Sequence, residues 1–98
     1  MVVYGIQYYF DNEIFFYIGS TNNFRRRINE HRYRIKNPFA HLRYTRNKFY
    51  TKLREYGIDD IKEEDCFILD EYGGKKEEQD CMDQIPKHLL LNAYRSIK

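Results

Sequence analysis

The chain of 98 residues has no Trp, only two Cys, two Pro and five Gly. With 42% hydrophobic residues and so little Pro and Gly, it is neither collagen-like nor a disordered tail. Two cysteines, Cys66 and Cys81, are too few for a disulfide scaffold or a zinc cluster. They read as reduced, partly buried residues of an intracellular protein. No basic segment followed by an apolar run opens the chain, so no signal peptide is visible. No apolar stretch approaches the ~20 residues that span a bilayer. Internal repeats and low-complexity tracts are also missing. The expectation is one domain over residues 1–98, intracellular and without a membrane partner.

Tyrosine is abundant: ten Tyr stand beside seven Phe. Aromatic side chains fill a small core well, and the Tyr hydroxyl adds a polar handle. The net charge of +2 hides an asymmetry. Residues 1–54 carry eleven Lys/Arg against three Asp/Glu, a balance of +8, whereas residues 55–98 carry six against twelve, a balance of −6. The basic half suits a polyanion partner, and the acidic half offers carboxylates for a hard cation.

Hydrophobic patterning gives the elements. Val2 to Tyr9 and Ile14 to Ile18 are β-branched and aromatic, with polar Asp11-Asn12-Glu13 between them, which predicts a hairpin. Gly19 to Asn23 is expected to break the strand and cap a helix from Phe24 to Ile35. Phe24, Ile28 and Ile35 form its apolar stripe, with Arg27 and His31 flanking that stripe. After a loop at Lys36-Asn37-Pro38-Phe39, a second helix is expected from His41 to Tyr56, seamed by Leu42, Phe49, Leu53 and Tyr56 and ended by Gly57. Asp65 to Leu69 predicts a third strand and Lys75 to Ile85 a third helix stopped by Pro86. Leu89-Leu90-Leu91 should pack back on the core. The pattern is β-β-α-α-β-α, an α+β domain on a small three-stranded antiparallel sheet flanked by helices.

The order Tyr17-Ile18-Gly19, then Arg27 ten residues after Tyr17, then His31, resembles the GIY-YIG nuclease family. The matching first strand is Val2-Val3-Tyr4, followed by Gly5-Ile6. Lys52 to Asp59 resembles the family's helix end, and Phe67 to Glu71 its third strand. Glu78-Gln79-Asp80-Cys81-Met82 fits the family's glutamate segment, with Cys81 where an aromatic is usual. Asn92 falls where the family often has an asparagine. The resemblance implies a divalent-metal-dependent DNA endonuclease. It implies catalytic roles for Tyr4, Tyr17, Arg27, His31 and Glu78, with Glu78 holding Mg2+ or Mn2+. Tyr4 would act as, or assist, the general base, Tyr17 would orient water or phosphate, and His31 could substitute as proton acceptor.

The residue types suit that chemistry. Arg27 offers a permanently charged planar fork for phosphate oxygens. One carboxylate such as Glu78 suffices for a magnesium-like ion that keeps several waters; Glu77 competes for this role, Asp70 and Glu71 less so. A tyrosine can move a proton if nearby cations lower its pKa. Arg25, Arg26, Arg34, Lys36, Arg43, Arg46, Lys48 and Lys52 would contact the DNA backbone, together with Arg32. Phosphate contacts give affinity but no sequence information. Tyr33, Tyr44 and Tyr50 are interleaved with these charges and are expected on the DNA-facing side, whereas Tyr8, Tyr9 and Tyr56 are expected to pack.

Sequence-specific members of the family typically carry an added DNA-binding region. The chain is therefore expected to be either a stand-alone nuclease of low or structure-based specificity, or a catalytic module that relies on an additional DNA-binding domain or partner. The competing readings are a non-catalytic nucleic-acid-binding module of the same fold and a protein-interaction scaffold.

Overall fold

A computed structural model of the chain describes residues 1–39 and 47–92. Strands β1 (Val2–Phe10) and β2 (Glu13–Thr21) form the hairpin, followed by helix α1 (Phe24–Lys36) and helix α2 (Lys48–Glu55). Strand β3 (Cys66–Asp70) and helix α3 (Lys75–Asp83) complete the fold, with single 3₁₀ turns at Glu63–Asp65 and Lys87–Leu89. The antiparallel sheet has the order β2-β1-β3. This is the α+β architecture that the hydrophobic pattern predicts.

The hairpin turn is built by Asp11 and Asn12, which both take positive φ, 51° and 65°. Asp and Asn tolerate that region better than other side chains, and a two-residue turn of this hand matches the twist of the flanking strands. It places Tyr4 opposite Gly19 and Ile6 opposite Tyr17. Beyond Ile18 the expected break does not occur, because Gly19, Ser20 and Thr21 continue to pair with Tyr4, Val3 and Val2. Asn23 alone caps α1, its side chain accepting the Arg26 N–H at 3.0 Å. Helix α2 begins at the Asn47 cap, which accepts the Tyr50 N–H at 3.1 Å. The stretch expected to open that helix, including Leu42, Arg43, Tyr44 and Arg46, lies outside the described residues. Helix α2 ends in a Schellman arrangement: Ile58 N–H donates to Leu53 C=O, Gly57 N–H to Arg54 C=O, and Gly57 takes φ +79°.

Strand alternation divides the core between the two faces of the sheet. Tyr4, Ile6, Phe10 and Phe15 join Ile28 and Ile35 of α1, and Phe49, Tyr50 and Leu53 of α2, in the main cluster. Val3 and Ile18 point the other way and pack with Leu90, Cys81, Met82 and Ile85. Tyr9 belongs to that second face, but beyond the reach of α3, and it is 66% exposed rather than packed. Tyr50, expected among the DNA-facing charges, is fully buried.

The segment after α3 closes the edge of β2. Leu91 N–H donates to Phe16 C=O at 2.7 Å, and Phe16 bridges Leu90 in parallel. The Asn92 carboxamide then accepts the Ile18 N–H at 2.9 Å and donates to the Ile18 C=O at 2.7 Å, as a neighbouring strand would. No helix among the described residues is long and apolar enough to cross a membrane.

Asn92→Ala strips both partners from the Ile18 peptide groups. A loss of about 1–3 kcal/mol is expected for such unsatisfied buried groups, read as a lower urea midpoint at unchanged slope.

Candidate active site

Alternation along β2 also explains how two sets of polar side chains meet at one end of the sheet. Tyr17 and Gly19 face α1, while Ser20 faces α3. Gly19 has no side chain, and the Tyr4 ring occupies the space. A Cβ built at residue 19 would lie 2.5 Å from the Tyr4 hydroxyl and 2.6 Å from its ring carbon. Tyr4 is thereby laid flat under α1, where it meets His31.

His31 sits on the buried stripe of α1 between Ile28 and Ile35. Its Nε2 is 2.8 Å from the Tyr4 hydroxyl and its Nδ1 is 2.6 Å from the Tyr50 hydroxyl. Both ring nitrogens are therefore hydrogen-bonded in a core that excludes water, as buried polar groups require. Tyr17 completes the cluster, its ring edge-on to His31 at 5.2 Å and stacked on Phe49 at 4.2 Å.

The electrostatics follow from this burial. Burial, with Arg27 and Arg34 nearby, lowers the His31 pKa to about 3, so the imidazole is neutral at pH 7. Burial and the neighbouring Tyr17 hydroxyl raise the Tyr4 pKa far above its ordinary value, against a smaller lowering by Arg27. Burial pushes Tyr17 up to about 12, helped by Tyr50 and Glu78 and opposed by Arg27. The expectation of tyrosines made acidic by neighbouring cations is thus reversed. A single guanidinium does not outweigh the loss of water around a phenolate.

The second set lines the surface beside this cluster. A groove of about 280 Å³ is bordered by Ser20, Thr21, Asn22 and Asn23, by Arg26, Arg27 and Glu30 of α1, and by Lys75 of α3. The Ser20 hydroxyl donates to Glu78 Oε1 at 2.5 Å, and Lys75 Nζ is 3.9 Å from the same oxygen. Arg27 Nε is buried and lies 3.1 Å from Glu30 Oε1 without an aligned hydrogen bond. The guanidinium is thus held at the rim by the charge of Glu30. Tyr17 is within electrostatic reach of both Glu78 and the groove-lining Arg27.

All five residues to which the resemblance gives catalytic roles, Tyr4, Tyr17, Arg27, His31 and Glu78, are brought to this end of the sheet. Glu77, the competing carboxylate, instead accepts the Gly74 N–H at 2.8 Å and starts α3. Two further residues belong to the site. Tyr50 was legible as apolar-face, three residues before Leu53, but its charged neighbours masked that signal. Ser20 was hidden because the strand was expected to stop before it.

Glu78 fits a hard cation of the magnesium type. Its side chain is 19% exposed, and only its Oε1 takes the Ser20 hydrogen bond. Among the described residues no three His, Cys, Asp or Glu side chains cluster. An ion at Glu78 would therefore complete its shell with water, as Mg2+ habitually does.

The basic side chains expected on DNA do not form one continuous face. Arg25 and Arg26 are exposed on α1, and Lys48 is exposed at the start of α2. Lys36 pairs with Asp60 at 3.4 Å, and Lys52 lies 5.7 Å over the Tyr56 ring and 3.9 Å from Glu55. Arg34 is partly buried, with its charge in electrostatic reach of the Tyr50 hydroxyl. Arg43 and Arg46 lie outside the described residues. Comparison of the chain with family models, curated proteins and solved structures gave no match.

The depressed His31 pKa makes stability depend on pH. Below about 6.5 the unfolded chain takes up a proton that the folded chain refuses until about pH 3. Stability should therefore fall as pH drops through this window, by at most about 1.4 kcal/mol per pH unit from this group. Urea titrations at pH 7 and pH 5 should show that loss, and His31→Gln should flatten it.

Proposed function

We propose that the chain is a metal-dependent DNA endonuclease of the GIY-YIG type. The observation that supports this most strongly is the convergence of Arg27, the Ser20-bound Glu78 and Tyr17 beside one groove, with His31 and Tyr4 packed directly behind. Each part answers one demand of phosphodiester hydrolysis. The Arg27 fork matches two phosphate oxygens and stabilises the charge that grows on them. Glu30 holds the guanidinium at the groove until a phosphate competes for it. Arg26 and Lys75 add positive charge at the groove border, which favours entry of the strand. Glu78, oriented by Ser20, is the residue that would hold Mg2+ or Mn2+. Such an ion, when bound, supplies Lewis-acid stabilisation of the phosphate and leaving oxygen and favours ionised oxygen nearby. Tyr17 hydrogen-bonds water or phosphate oxygen at the inner wall, and Tyr4 and His31 fix the direction of that bond.

The exposed bases Arg25, Arg26 and Lys48 contact backbone phosphates. This gives salt-dependent affinity with no sequence readout, as expected of low or structure-based specificity. Any further sequence preference would come from an additional DNA-binding domain or partner.

Supercoiled plasmid should be nicked only with Mg2+ or Mn2+ present. Arg27→Ala and Glu78→Ala should each lower the rate by at least about 10²-fold, the scale of a lost transition-state contact, with circular dichroism unchanged. DNA binding without nicking, insensitive to chelation, would favour the non-catalytic module. Undiminished nicking in both variants would remove the site assignment.

A further inference from the structure

Helix α1 carries six Lys/Arg and one carboxylate, Glu30. A lone acid on a basic helix is most favourable in the first turn, where the helix dipole is positive. That turn holds Arg25, Arg26 and Arg27 and no acid. Glu30 stands instead where it borders the groove with Arg26 and Arg27. Its Oε1 is 3.1 Å from Arg27 Nε and its Oε2 is 3.5 Å from Arg26 Nε, so one carboxylate bridges both groove arginines. On an open helix surface such neighbours form an ordinary pair of little consequence. Here Arg27 Nε is buried, and the Glu30 oxygen beside it is not aligned to accept its proton. The carboxylate supplies charge but not the hydrogen bond that a buried N–H requires. A phosphate oxygen entering along the groove can supply both.

We infer that Glu30 is a built-in competitor for phosphate: its carboxylate occupies Arg26 and Arg27 in the free protein, and a DNA phosphate binds by displacing it from Arg27. This rests on the endonuclease reading and names a control on the same groove. The exchange has a direction. The Arg26 side chain is 76% exposed and that of Arg27 36%. Arg26 can swing outward and carry Glu30 with it, while Arg27, anchored by its buried Nε, stays at the groove wall. Lys75 is likewise answered by Glu78, 3.9 Å away. Arg26, Arg27 and Lys75 thus each face a carboxylate of the groove itself, and one net positive charge is left to attract phosphate until Glu30 lets go.

The test is Glu30→Gln, which keeps the size of the side chain and removes its charge. Inorganic pyrophosphate is titrated while the Arg27 Nε–H signal is followed by proton–nitrogen NMR, the signal being assigned by its loss in Arg27→Lys. In Glu30→Gln that signal should start at a different position. Pyrophosphate should bind the variant about three to ten times more tightly, the scale of one or two exposed ion pairs. Glu55→Gln makes the same change of charge on α2, outside the groove, and should leave the affinity unchanged. Equal affinity in Glu30→Gln and the unmodified protein, no binding by either included, would overturn the proposal. So would an equal gain in Glu55→Gln. Fluorescence anisotropy of a labelled DNA duplex should show the same gain in Glu30→Gln. If the pyrophosphate results hold while no duplex is bound or nicked, the endonuclease reading fails and Glu30 stands as the competitor at an anion site.

Discussion

The structure depends on one buried contact: the hydroxyl of Tyr4 against Nε2 of His31, made possible by the missing side chain at Gly19. A tyrosine and a histidine in an apolar core are costly unless each polar atom is paired. Pairing them fixes the distance between the hairpin and α1, and the second histidine nitrogen fixes α2 through Tyr50. The core is thus held in register by a polar chain as well as by apolar area. A hydrophobic cluster tolerates sliding and repacking; a chain of short hydrogen bonds does not.

The same contact organises the surface site. Arg27 is one helical turn before His31, so docking His31 against the sheet brings Arg27 to the rim above β2. Ser20 is one residue after Gly19, so the strand that clears space for Tyr4 on one face presents a hydroxyl to α3 on the other. Glu78 meets that hydroxyl. Inner network and outer groove therefore share β2 as a common wall, and neither can shift without the other.

The charge asymmetry between the two halves of the sequence is partly cancelled by the fold. Asp60 folds back on α1 to pair with Arg32 and Lys36, and Glu63 approaches Arg25. Such exposed pairs contribute little stability, but they dilute the basic surface along α1. At the groove Arg26, Arg27 and Lys75 stand against two glutamates, Glu30 and Glu78, which leaves one net positive charge there. A +8 half was legible in the sequence; its partial cancellation by Asp60 and Glu63 was not, because ion pairs between distant segments leave no local pattern.

Other parts were legible to different degrees for similar reasons. The hairpin, α1, β3 and the returning leucines follow from short-range periodicity and turn chemistry, and they stand where the pattern puts them. The extension of β2 through Gly19, Ser20 and Thr21 was not visible, because pairing with β1 overrides the local preference of small polar residues for turns. Tyr50 and Tyr9 exchanged places, the first buried and the second exposed, because charged neighbours misrepresent the face of a short helix and a strand face is buried only as far as its cover reaches. The direction of the tyrosine pKa shifts needed burial, which spacing does not reveal. The most direct test of the account is a structure of the chain bound to a short DNA duplex with Ca2+. It should place a backbone phosphate on the Arg27 fork and the ion on Glu78 in the groove beside Ser20. A duplex seated on another face, with Arg27 still on Glu30 and no ion at Glu78, would contradict it.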